Sequence, residues 1–148
     1  MGRNYSIAGD QNAAAATTLI GVTGAATIRP RLYYLTIGAS ATPADQANNM
    51  QVLRSTAAGT STAVTPQAID PGDPAALASA GSNHTLEPTY TAGSIMLSFS
   101  FNSRANFQWY ANPGKEIVVP ATAANGLGLR FVVATGTQLH EGTFHYEE

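Results

Sequence analysis

Between Ser94 and Phe101 the chain alternates without a break. Ile95, Leu97, Phe99 and Phe101 fall on one side, and Ser94, Met96, Ser98 and Ser100 on the other. Residues two apart share a face in an extended strand, whereas a helix would scatter these four apolar side chains around its axis. The pattern therefore requires a strand in a sheet with one buried face. Leu127 to Ala134 repeats it, with Leu127, Leu129, Phe131 and Val133 on one side. Pro30 to Ile37 (PRLYYLTI) is dense in aromatic and β-branched residues and stops at Gly38. Asn49–Arg54, Ala105–Tyr110, Glu116–Val119 and Gln138–Tyr146 are further candidate strands, and Asn4–Ala8 and Thr17–Val22 carry a weaker signal. Asn112-Pro113-Gly114 reads as a type II turn, and Asn125-Gly126 is a second turn signal. No long amphipathic helix is visible, and the Ala13–Ala16 run is too short to be helical in isolation. Roughly eight to ten short strands separated by turns predict an all-β fold, an antiparallel β-sandwich of jelly-roll type. The expected organisation is a single domain, 1–148, with a short N-terminal arm over about 1–29.

Ser55 to Gly93 breaks the rhythm. It is long, rich in Ala, Thr, Ser, Gly and Pro, and carries formal charge only at Asp70, Asp73 and Glu87. A connection of that length inside a domain is usually functional or disordered, and disorder generally brings more charge. Asp73 can cap a helical turn with Pro74 at its first position, Ala75 to Ala78 as helix formers and Gly81 as terminator. The expectation is an ordered excursion, 55–93, carrying one short helical turn and lying against another subunit.

Charged residues make up 11% of the chain, against about 25% in typical soluble domains. Such a surface is either solvated by Thr, Ser and Asn or covered by other protein. The net charge of −2, with scattered Lys and Arg, argues against a nucleic-acid partner. No apolar run approaches a membrane span, and the N-terminal MGRNYSIAGDQN has no apolar core of a signal peptide, so neither a membrane nor a secretion route is expected. On that ground Asn4-Tyr5-Ser6 and Asn83-His84-Thr85 are read as chance matches to the glycosylation sequon. The absence of Cys excludes disulfides, thiolate zinc ligands and a thiol nucleophile.

Candidate chemistry is sparse. His140 and His145 sit five apart, one more than a helical zinc-protease motif needs, and in a strand they point to opposite faces. Both are expected at an edge or surface, and His84 is expected as a hydrogen-bonding loop residue. No nucleophile elbow, dinucleotide loop, Walker motif or calcium loop is present, so catalytic, cofactor and metal residues are all expected to be none. In Phe107-Gln108-Trp109-Tyr110 the first and third residues share one face, the second and fourth the other. Either Trp109 and Tyr110 stack on sugars or anchor a protein contact, or Phe107 and Trp109 are core with Tyr110 at the rim.

The segments TAAGTSTAVTPQAIDPGDPAALASAGSNHTLEPTYTAGSIML, GASATPADQA, ANPGKEIVVPATAANGLGL and the ending TFHYEE are similar to a family of small virion proteins of tailed phages and prophages, resembling capsid decoration (cement) proteins. The resemblance covers most of the chain from Arg31 onward. It implies a structural protein and no enzyme, located on the outer surface of the capsid. It further implies the major capsid protein as partner and a homo-oligomer, with a trimer favoured. Alternatives are a tail or baseplate subunit and a carbohydrate-binding sandwich. The interface is expected in the N-terminal segment around Tyr5 and in the long connection, at Ile69, Pro71, Pro74, Leu77, His84 and Tyr90.

Overall fold

The computed structural model describes residues 2–148. Among them are twelve strands and no helix: β1 (Asn4–Asn12), β2 (Thr18–Thr23), β3 (Arg31–Ala39), β4 (Ala47–Ala57), β5 (Thr60–Val64), β6 (Gln67–Ala68), β7 (Ser79–Leu86), β8 (Thr89–Asn102), β9 (Phe107–Tyr110), β10 (Ile117–Val118), β11 (Gly126–Val133) and β12 (Leu139–Glu147). Their pairing is nested and antiparallel. The first strand pairs with the last, β2 with β11, β3 with both β9 and β10, β4 with β8, and β5 with β7. A chain folded in half and rolled up in this way is a jelly roll, as the alternation predicted. One sheet has the order β10-β3-β12-β1-β6, with β9 also on β3, and the other β5-β7-β2-β11-β4-β8.

Period-two patterning supplies the core between the sheets. Tyr5 and Ile7, Leu35 and Ile37, and Phe144 and Tyr146 face inward from the first sheet. Ile20 and Val22, Met50 and Val52, and Leu127, Leu129 and Phe131 meet them from the second. Each such side chain contributes about 1.5–3 kcal/mol on full burial. Gly142 sits under a close contact with the facing sheet, since a Cβ there would lie 2.8 Å from Leu19 Cδ2.

The stretch 55–93 is not one excursion. It contains the end of β4, then β5, β6, β7 and the start of β8. Only Ala58 and Gly59 separate β4 from β5, and only Glu87 and Pro88 separate β7 from β8. The two joined strands form one ribbon, which leaves β11 at β4 and rejoins the sheet where β7 pairs with β2. On the way it crosses the outer face of β2 and β11, with the Tyr90 hydroxyl lying over Gly128. The ribbon is ordered, as expected, and one side of it lies on the protein's own sheet.

Two other expectations are overturned. No helical turn forms at Asp73-Pro74. Asp70 to Asp73 is instead a β-turn, with Asp73 N donating to Asp70 O at 3.0 Å and Gly72 N to Asp70 Oδ1 at 2.8 Å. Beyond it, the Leu77 and Ala78 amides donate to the Glu148 carboxylate at 3.0 and 2.8 Å, so tertiary bonds take the groups a helix would have used. Nor is 1–29 a peripheral arm. β1 lies between β12 and β6, and β2 between β7 and β11, so both strands are interior to their sheets.

Candidate functional site

The seven residues expected at an interface divide sharply. Tyr5 is completely buried, stacked on Tyr146 with ring centroids 5.6 Å apart, and its hydroxyl donates to the Pro74 carbonyl at 3.0 Å. It is an internal pin for the loop from Ile69 to Ala78. His84 is also buried, and it lies in β7, not in a loop. Its Nδ1–H donates to Thr18 O at 3.1 Å, and burial holds its pKa below the ordinary imidazole value, although Glu87 and that carbonyl act the other way. Tyr90 is half-buried, and its hydroxyl is 2.6 Å from Thr18 Oγ1. None of these three roles is legible locally, because each depends on a contact 66 or more residues away in the chain. Ile69, Pro71, Pro74 and Leu77 are exposed, with Ile69 at 50% and Leu77 at 56%.

Around Thr18 the ribbon is tied down by a compact polar network. Thr18 N and Oγ1 both donate to the Glu87 carboxylate, the first at 3.0 Å. The Arg130 guanidinium lies 5.4 Å from the centre of the Tyr90 ring. Burial raises the Tyr90 pKa, so the phenol stays protonated and donates to Thr18. Thr18 is fully buried, so this network pins the ribbon to the sheet at Thr18.

Of the remaining histidines, His140 departs from expectation. His140 is fully buried in the core, against edge rings of Phe101 and Phe131. Its Nδ1–H donates to Gln138 O at 3.0 Å, while Nε2 faces Asn48 Nδ2 at 3.4 Å. Burial lowers its pKa, in keeping with a neutral ring. His145 lies on the opposite, outer face, as the odd spacing required. No group of three or more His, Asp or Glu able to hold a metal occurs among the described residues.

Two surface features stand out. On the outer face of the first sheet the rings of Tyr110, Tyr34, His145 and Tyr33 run in sequence, with centroids 4.6, 4.8 and 6.1 Å apart. Tyr33 also lines a groove with Ile69, Ala111 and Pro113, so the aromatic run continues to the exposed loop. Tyr110 is 66% exposed, whereas Phe107 and Trp109 are half-buried and pack against the core. The second feature is β8, fourteen residues long and paired only with β4. Thr89–Asn102 contains no charged residue and no Pro, and Ile95 and Met96 on it are 48% and 40% exposed. Long edge strands normally carry Lys, Pro or a cover that prevents pairing with another chain. The other edges are blunter. β5 has five residues, β6 two, and the β9/β10 edge is interrupted by the Pro113-Gly114 turn.

Comparison of the chain with protein-family models, with curated proteins and with solved structures finds no match.

Proposed function

We propose that this chain is a structural virion protein that decorates the outer surface of a phage capsid, as a homo-oligomer, and acts by surface contact. The observation that carries the proposal is the bare edge of β8. The uncharged run Ser94–Asn102 at this edge, paired on one side only, forms a template for strand addition, in which main-chain hydrogen bonds give affinity without special side chains. The capsid setting of this proposal comes from the sequence resemblance described above alone.

Asn49 Nδ2 on β4 donates to Phe99 O, so Phe99 directs its backbone toward β4, and Ser98 and Ser100 direct theirs outward. Ser98→Lys puts a charge on the exposed edge without entering the core. It should leave the fold intact and abolish incorporation into particles, scored by sedimentation of assembled heads. Wild-type levels of the variant on purified heads would overturn the strand-addition reading. Immunogold labelling separates a head location from a tail or baseplate one.

The exposed ring of Tyr110, continuous with Tyr34 and His145, favours a second reading as a carbohydrate-binding surface. It uses Tyr110 without Trp109, which faces the core. A glycan array on which wild type and Tyr110→Ala behave alike removes it.

A further inference from the structure

The ribbon does not lie flat on the sheet it crosses. Between them is a cavity of about 300 Å³, lined by Gly21 on β2, Gly81 on β7, and Ser55, Thr60, Ser61 and His84. That volume is at the small end of the range for ligand sites. His84 is 6% exposed, and only its Nδ1 is engaged, with the Thr18 carbonyl. A carbonyl can only accept, so Nδ1 carries the proton and Nε2 presents a lone pair. That lone pair has no partner among the described residues. It opens toward Gly21, where a Cβ would lie 3.7 Å from both Nε2 and Cε1. The missing side chain at Gly21 therefore leaves the acceptor edge of a buried imidazole uncovered.

The lining restricts what can enter. It contains no charged side chain, so an anion or cation would be desolvated without compensation. It contains no aromatic ring other than the imidazole, so a flat base or a stacked sugar has no platform. A soft divalent metal would find one nitrogen and otherwise hydroxyl or carbonyl oxygens, a poor set for zinc or copper. What remains is a donor for Nε2 together with groups that can exchange hydrogen bonds with serine and threonine hydroxyls. We infer that this cavity binds a small uncharged polyol, with a ligand hydroxyl donating to His84 Nε2. The site is separate from both the β8 edge and the Tyr110 surface.

The test uses histidine-labelled full-length protein, with glycerol and glucose as probes, followed by the imidazole nitrogen resonances. The expected result is a saturable shift of His84 Nε2, toward the value for a nitrogen that accepts a hydrogen bond, with His140 unmoved. Gly21→Ala inserts a methyl against the imidazole and needs only a slight yield from the Leu127 carbonyl, 3.3 Å away. Ala63→Leu narrows the cavity from an exposed position on β5, independently of the β2 backbone. Either folded variant should bind at least about tenfold more weakly. A His84 resonance that does not move with either probe, or that drifts linearly and equally in wild type and variants, would show a cavity holding solvent only and would overturn the inference.

Discussion

Glu87→Ala tests how the ribbon is held on the sheet. In the folded protein the Glu87 carboxylate accepts from both the amide and the hydroxyl of Thr18, which is fully buried. Removing the carboxylate orphans that amide, because Thr18 lies under the ribbon and water cannot simply replace the lost partner. An unsatisfied buried donor costs about 1–3 kcal/mol, and a hydrogen bond to a charged group contributes about 1.5–3 kcal/mol. These figures overlap, since the second loss includes part of the first, and Thr18 Oγ1 keeps Tyr90 as a neighbour at 2.6 Å. The expected loss is therefore about 2–4 kcal/mol in urea denaturation. Thr18→Val keeps the shape and the amide bond and should cost less, about 1–2 kcal/mol. The two changes should be non-additive, because the second removes a bond already lost in the first. Hydrogen exchange should rise over Ser79–Tyr90 and stay unchanged in β12. A Glu87→Ala loss below about 0.5 kcal/mol, within the range of ordinary surface substitutions, would refute the claim that this network pins the ribbon.

Other predictions follow from the same contacts. Tyr5→Phe removes only the bond to Pro74 O, so it should cost about 1 kcal/mol and expose the Asp70–Ala78 loop to proteolysis while the core stays folded. Burial lowers the folded-state pKa values of His84 and His140 below 6.5, so the unfolded chain takes up protons first on acidification. Stability should be flat above about pH 6.5 and fall below it, by at most about 1.4 kcal/mol per pH unit per histidine, until the folded-state pKa is reached. His140→Gln should remove one proton's worth of that slope in urea midpoints between pH 7.5 and 5. Gly142→Val should destabilise strongly, because its side chain enters the space of Leu19, and a thermal melt within a few degrees of wild type would contradict the sheet packing.

The fold was legible where side chains alternate in size and polarity. β8, β11 and β3 announce themselves because each carries large apolar residues on one face. β7 does not, since Ser79-Ala-Gly-Ser-Asn-His-Thr-Leu buries only small or polar residues, and its burial comes from a ribbon that folds back from elsewhere. The same long-range cause explains why 55–93 read as a loop. Asp73-Pro74 has the local form of a helix start, but Tyr5 and Glu148 claim the backbone groups that a helix would use. His140 was legible in part. It lies an even number of residues from Phe144 and Tyr146, so it shares their inward face, and that spacing could have placed it in the core. Its partner Asn48 could not be read, because it meets His140 only across the sandwich, and the local bond to Gln138 O depends on the backbone path just before β12.

The proposal that this chain works by extending a sheet edge on a virion surface is tested most directly by a reconstruction of the assembled particle. It should show the jelly roll on the outside of the shell, with a strand of a neighbouring subunit paired along Ser94–Asn102. A particle without this chain on its surface, or one carrying it with the β8 edge open to solvent, would contradict the proposal.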